Sequence, residues 1–410
     1  MKLWMRLLVG SVIGILLGAY LPEQGGDTAA GFAYWAQVGL HLGRYVILPL
    51  VLFQVGVSIY ELRSERKLIR VYLKSFVVLI AGTVVMVLIG TLAVLVFSPA
   101  RIPPILQETQ LLDLPSAREL PFMLFPKNLF TIFVAGSANL LPIYFLSFLL
   151  GCLFGGDGYG GDGLAGLFES AAHLFMRLNA LVCEVIGLAF IAFGALFLLR
   201  FRAINDIDIF APYLLVVVVS AFFIVLGVLP LAVYLLGGRE NPYRWLYGML
   251  APMLAGLFSA DSFFSLGMLE RVGGPNLGAP RMVRGAVFPL YAMFGRAGTA
   301  MVSASAFMVI LQSYTALEIG FGRIVWVMAS AMFAGLLLAA YPASGVSISL
   351  AMLSASYQSG NEEIYLIMQP ILPILLALAV LLDVAFAGFA AHVVSRHEEV
   401  GSQLDMMEMQ

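Results

Sequence analysis

Apolar residues in this chain gather into long runs separated by short polar stretches, at about 3–21, 34–60, 70–98, 129–154, 165–200 and 208–237. Each approaches or exceeds the roughly 20 helical residues needed to cross a bilayer core. Beyond residue 237 the pattern changes. The stretch from Ala251 to Ala300 reads APMLAGLFSADSFFSLGMLERVGG, then a short basic loop, then RGAVFPLYAMFGRAGTAMVSASAF, and a partner copy runs from Val325 to His397. In the first copy two apolar arms flank the small polar tip Ser259-Ala260-Asp261-Ser262. In the second, VMASAMFAGLLLAA reaches a tip at Tyr341-Pro342-Ala343-Ser344-Gly345 and SISLAMLSASY returns. Arms of about a dozen residues are too short to cross, so each pair predicts a hairpin that enters the bilayer and turns back. Lipid cannot satisfy free backbone groups, so such tips must lie in protein or line a cavity. Each copy then enters a long helix expected to break near its middle, an arrangement that inverted-repeat transporters use to build a midplane site.

Composition supports the membrane reading. Hydrophobic residues make up 61% of the chain and charged residues 11%, against about a quarter charged in soluble domains. A net charge of −2 gives no reason to expect a nucleic-acid partner. Cys152 and Cys183 both sit in apolar runs, the histidines show no ligand spacing, and neither a metal site nor a cofactor is expected. There is no Walker loop, dinucleotide fingerprint, HExxH or GxSxG, and no nucleophile with a neighbouring base, so an enzyme is not expected. The N-terminal run lacks a clear small-residue cleavage site and reads as a retained helix. The loop Leu21–Gly31 holds Glu23 and Asp27 and no lysine or arginine. Arg63, Arg66, Lys67 and Arg70 fill the next loop, and Arg239, Arg244, Arg271, Arg281 and Arg284 cluster around the base of the first hairpin. The positive-inside rule then puts the N-terminus, the loop 61–70 and the base of the first hairpin in the cytoplasm, where the C-terminus is expected too. Residues 99–128 form a polar, proline-rich external loop, and 154–166 a glycine-rich linker.

With these features in place the chain resembles the dicarboxylate/amino acid:cation symporter family, the glutamate transporter homologues. RYVILPLVLFQVGVSIYEL at 44–62 resembles that family's second helix, and 125–151 the segment through its fourth. FPLYAMFGRAGTA at 288–300 is similar to the seventh helix, AAYPASG at 339–345 to the second hairpin tip, and LLDVAFAGFAAHVV at 381–394 to the end of the eighth. The resemblance implies an all-α fold of eight transmembrane helices plus two re-entrant hairpins, assembled as a homotrimer in a bacterial inner membrane. It also implies an elevator. Residues 1–62 and 101–204 would be a static scaffold with the external loop. Helix 3 (63–100) and residues 205–397 would be the moving transport domain, followed by a tail at 398–410. Within 205–397 the expected order is helix 6, hairpin 1 at about 243–272, helix 7 at about 282–312, hairpin 2 at about 323–357 and helix 8 at about 363–397.

The departures from the family pattern bear on chemistry. Where the family's seventh helix carries Asn-Met-Asp-Gly-Thr, this chain has Gly295, Arg296, Ala297, Gly298 and Thr299; the sodium-binding Asp has become Ala297. The family's substrate-binding Asp and Arg of the eighth helix align with Leu376 and Ala379, and a further sodium-site Asp with Ala387. A hard cation needs about six oxygen ligands, usually including a carboxylate, so coupling is expected to be to protons, altered or absent. Two charges remain mid-helix, Arg296 and Asp383. Such residues face one another or a cavity. They are expected to lie together, the guanidinium replacing a missing cation, either as a helix-holding pair or with Arg296 facing an anionic substrate and Asp383 carrying a proton.

The candidate substrate residues are Asp261, Ser262, Phe263, Ser265, Arg296, Thr299, Tyr341, Ser344, Gly345 and Asp383, with Tyr291, Gly295 and Asp383 as candidate ion ligands. Asp261 could instead cap the hairpin amides, Thr299, Ser344 and Gly345 could simply pack helices, and Phe263, Phe264 and Tyr341 could be plain gate residues. Glu184 with Arg177 reads as scaffold polarity, and Arg44 as snorkelling or paired near the start of its helix. The function expected is secondary transport of a small organic anion or amino acid, its partners being that solute, a proton or sodium, and lipid. An anion-conducting channel, or a sensor that kept the fold and lost transport, is the alternative.

Overall fold

A computed structural model describes residues 1–20, 26–103, 122, 124–134, 140–154, 161–204, 206–237, 241–314, 320–340, 345–357 and 363–396. Among these residues every regular element is helical. Seven segments are long and apolar enough to cross a membrane: Leu3–Tyr20, Thr28–Ser64, Leu68–Phe97, Gly163–Arg202, Ile207–Leu236, Arg281–Tyr314 and Ile364–Arg396. The chain is an integral membrane protein. The run expected at 129–154 is represented by Thr131–Val134 and the 13-residue helix Leu141–Leu153, whose roughly 20 Å fall short of a full crossing at 1.5 Å per residue. The tail from residue 397, the tip residues 341–344 and residues 104–121 lie outside the described residues.

Prolines set the irregularities. The second run is two helices, Gly26–Tyr45 and Ile47–Ser64, parted at Val46. Pro49 stands in the first turn of the second piece, where its missing N–H cannot reach back to Tyr45. In the sixth run a π-helical segment, Ile224–Val228, precedes Pro230, a local widening that accommodates the ring. The first crossing is a small-residue seam: Gly10, Gly14 and Gly18 face Gly187, Ile191 and Ala195 of the fifth run, letting two backbones approach closely without an aqueous hydrophobic drive.

The first hairpin is the arms Leu250–Ser259 and Ser262–Gly273, joined by only Ala260 and Asp261. Ten helical residues advance about 15 Å, half a bilayer core, and then reverse. Ala260 takes the left-handed conformation at φ 53° that ends the outbound arm. The second hairpin has arms Phe321–Leu337 and Gly345–Tyr357. The two hairpins start from opposite ends of the helix Arg281–Tyr314. The base of the first lies at Gly273, against Phe288, whereas Trp326 and Tyr357 at the base of the second pack with Phe307.

Arg281–Phe294 and Ala297–Tyr314 are two pieces of one broken helix, as expected. The final helix is not broken near its middle. Leu372–Arg396 is continuous, and the irregularity is a 3-10 segment, Ile364–Ile371, ahead of it. Pro370 and Pro373 concentrate the disruption at the start, while AFAGFAA is tolerated within the helix. The broken and final helices are the most enclosed segments, 94% and 78% buried, against 33% for Leu3–Tyr20. The outer helices therefore face lipid, and the core is the broken helix with what packs on it.

Candidate substrate and ion site

The break in the seventh helix begins as an inverse γ-turn. Gly295 has φ −78° and ψ 46°, and the Arg296 amide donates to the Phe294 carbonyl at 2.9 Å. The second piece starts at Ala297 with no capping side chain of its own, since Arg296 carries no acceptor. Asp383 supplies the cap from the final helix. Its Oδ1 accepts from the Gly298 amide at 2.7 Å and the Thr299 amide at 3.1 Å, and its Oδ2 accepts from the Thr299 hydroxyl at 2.6 Å. A carboxylate at a helix N-terminus satisfies orphan amides and opposes the positive end of the dipole. Arg296 Nη1 lies 3.9 Å from Asp383 Oδ2, with the two side chains 1% and 4% exposed. The same nitrogen donates to the Ser262 hydroxyl at 2.5 Å. One guanidinium thus ties the first hairpin tip to the broken helix and the final helix.

The second hairpin closes on the same point. A Cβ added at Gly345 would meet the Thr299 methyl at 3.2 Å, and one at Gly335 would meet the Arg296 carbonyl at 3.5 Å. Gly298 is where the broken and final helices come closest, since a Cβ there would sit 2.5 Å from the Ala379 carbonyl and 3.0 Å from the Asp383 amide. Gly298→Val is expected to lower stability by about 1–3 kcal/mol, the usual cost of overpacking, measured by thermal unfolding of the detergent-purified protein.

Consecutive tip residues face two guanidiniums. Asp261 caps the return arm, accepting from the Phe264 amide at 2.7 Å, and also pairs with Arg44, while Ser262 takes Arg296. Arg44 stands in the last turn of Gly26–Tyr45, not near a helix start. A cavity of about 610 Å³ opens on the Arg44 side. Its polar lining is Gln37, His41, Arg44 and Arg200 opposite Ser259 and Asp261, and it is completed by Val346, Ser347, Leu372 and Leu376. Arg296 does not line it; it sits in the packed core beside Thr83 and Gly335.

Of the candidate residues, Ser262, Arg296, Thr299, Gly345 and Asp383 come together, and Asp261 lies on the cavity side of the same tip. Ser265 is turned inward, its hydroxyl donating to the Asp261 carbonyl at 2.8 Å. Phe263 is fully buried, and Phe264 packs edge-on against Phe193, so neither phenylalanine lines the cavity. The Tyr291 hydroxyl donates to the Ser75 carbonyl at 2.7 Å, and Gly295 holds the turn. Tyr341 and Ser344 lie outside the described residues. Glu184 pairs with Arg6 and Arg271 rather than with Arg177. Sequence reasoning missed Arg200, the terminal cation of an apolar run, and Glu270, a lone acid in a hairpin arm.

Known proteins bear out the resemblance. A model of the sodium:dicarboxylate symporter family matches residues 3–397. The chain is 28% identical over 242 residues to excitatory amino acid transporter 4 of Mus musculus, covering 58% of this chain and 42% of that protein. It is 26% identical over 276 residues to excitatory amino acid transporter 1 of Homo sapiens, covering 65% and 49%. With excitatory amino acid transporter 3 of Homo sapiens it shares 26% over 222 residues, covering 53% and 41%. The chain spans less than half the length of these relatives.

Proposed function

Because the chain belongs to the sodium:dicarboxylate symporter family, we propose that it is a secondary transporter, not an enzyme, that carries a small organic anion without sodium at the family's usual positions. The observation that carries this reading is the engagement of Asp383. Both carboxylate oxygens already accept protein donors, and Arg296 supplies a fixed positive charge beside them. A sodium ion there would have to displace a guanidinium and strip the cap from a half-helix. Proton carriage by Asp383 is equally disfavoured, because protonation would remove acceptor capacity that three donors use.

The substrate class follows from the cavity. Arg44 and Arg200 against Asp261 leave a net positive charge on the lining, which attracts an anion. An α-amino acid also needs an acceptor for its ammonium group. Asp261 is held by Arg44 and Asp383 by the broken helix, so a dicarboxylate suits these walls better than glutamate or aspartate. The cations on residues 1–62 and 101–204 form the static wall. The tip and the final helix form the wall that moves, in a homotrimer with cytoplasmic termini in a bacterial inner membrane.

The test is uptake of radiolabelled succinate into proteoliposomes, with unlabelled succinate, L-aspartate and L-alanine as competitors. Saturable uptake blocked most strongly by succinate is expected. Arg200→Ala is expected to raise KM about 10-fold or more, the loss of one charge-assisted contact of roughly 1.5–3 kcal/mol. Competition by alanine equal to that by succinate would refute the anion reading. Two arginines lining a boundary cavity also fit anion conduction, which an ohmic chloride current independent of succinate would favour.

A further inference from the structure

One buried acid has no part in the site above. Glu270 lies near the end of the first hairpin's return arm, 1% exposed, and faces Gln54 of the helix Ile47–Ser64, 2% exposed. Gln54 Nε2 donates to Glu270 Oε2 at 2.6 Å. The other oxygen of each group, Glu270 Oε1 and Gln54 Oε1, is buried with no hydrogen-bond partner among the described residues. Two orphaned acceptors on one side-chain pair is an arrangement that native interiors avoid. A single proton removes both defects. Bound to Glu270 Oε1, it makes the acid a donor, and the acid then gives that proton to Gln54 Oε1 while still accepting from Nε2. We infer that Glu270 and Gln54 form a proton-binding site, a carboxylic acid–amide ring that joins the first hairpin to the helix Ile47–Ser64.

Most of the surrounding charges are engaged elsewhere. The return arm packs against the outbound arm, the broken helix, the final helix and the helices of the second and fifth runs. The outbound arm carries no charged residue. On the broken helix, Arg281 is taken by Glu61 and Glu169 and also meets His173. Glu184 binds Arg6 and Arg271, Arg44 binds Asp261, and Asp383 binds Arg296. His392 of the final helix lies against Gly237. Arg284, also on the broken helix, is a cation that opposes protonation of a nearby acid, yet no ion pair joins it to Glu270. A buried carboxylate without an ion-pair partner is costly to keep charged; the ring accommodates it as the acid.

The consequence rests on the elevator reading given above. Gln54 belongs to the proposed static part and Glu270 to the moving hairpin, so the ring must open when the hairpin travels. Glu270 would then meet water and release its proton, and rebind one when the ring re-forms. One proton is thereby tied to each excursion of the hairpin, a role that Asp383 cannot fill.

The site is tested on the full chain in nanodiscs, without substrate, by the infrared difference between wild type and Glu270→Gln across a pH series. A protonated-carboxyl C=O band at neutral pH that shifts in D₂O is expected in the wild type and absent from the variant, whose amide–amide pair keeps the local shape. A difference showing only ionised-carboxylate bands at neutral pH would overturn the inference. In Gln54→Leu the C=O band is expected at higher frequency, because its hydrogen bond is gone; an unmoved band would refute the ring. Proteoliposomes then separate this inference from the transport reading. An imposed pH gradient should drive radiolabelled succinate accumulation in wild type, and in Glu270→Gln only gradient-independent exchange should remain. Equal pH-driven accumulation by both would remove the coupling role. Absence of succinate flux in both would count against the anion reading alone, since the infrared band is read without flux.

Discussion

Arg296→Met alone is expected to destabilise the protein by about 3–5 kcal/mol, and Asp383→Leu alone by a similar amount, because each strands a charge inside the core. The stranded groups are well defined. Without Arg296, Asp383 keeps its amide and hydroxyl donors but loses its countercharge; without Asp383, the amides of Gly298 and Thr299 lose their cap and Arg296 faces the positive end of the half-helix dipole unopposed. The double variant Arg296→Met/Asp383→Leu removes both charges at once. A buried pair replaced by apolar side chains is often neutral or better, so most of the loss should return, giving a coupling energy above the 0.5–3 kcal/mol usual for contacting residues. Denaturant titration of the purified variants measures this. Two single losses that simply add in the double variant would show that the charges do not act as a pair.

The same double variant is expected to fold and fail to transport, with succinate uptake reduced about 100-fold or more. That corresponds to roughly 2.7 kcal/mol at 1.36 kcal/mol per tenfold, a modest share of what a buried cation supplies in a low-dielectric site. The comparison separates two roles that geometry alone leaves joined. A pair that merely fastened the broken helix to the final helix would be replaceable by good apolar packing, and uptake would survive with stability. A pair that stands where a coupling cation would otherwise sit would not be replaceable. The readout is initial uptake per mole of folded protein, so that a difference in yield does not pass for a difference in rate.

Much of this architecture is visible in the chain before any coordinates. A short polar tip between two apolar arms can only turn back in a membrane, and the tip Ala260–Asp261 does so. Charges in the middle of apolar helices must find each other, and Arg296 and Asp383 lie 3.9 Å apart. What the pattern hides is which of several local solutions a residue takes. Asp261 caps and also pairs, because Arg44 arrives from a helix more than 200 positions away. Phe263 and Phe264 look like pocket residues by position, yet the return arm turns them into the core. The final helix holds small residues at its centre, and these permit a break without requiring one; the prolines at its start fix where the irregularity falls. Arg200 and the Glu270–Gln54 pair acquire meaning only from partners on other helices, which no spacing rule within one segment reports.

The proposed transport without sodium rests on the guanidinium that Ser262 and Asp383 fix at the break of the seventh helix. The most direct measurement is the initial rate of radiolabelled succinate uptake into proteoliposomes with external sodium replaced by choline at constant ionic strength and pH. Equal rates in the two salts are predicted. Uptake that requires the inward sodium gradient, and collapses in choline, would contradict it.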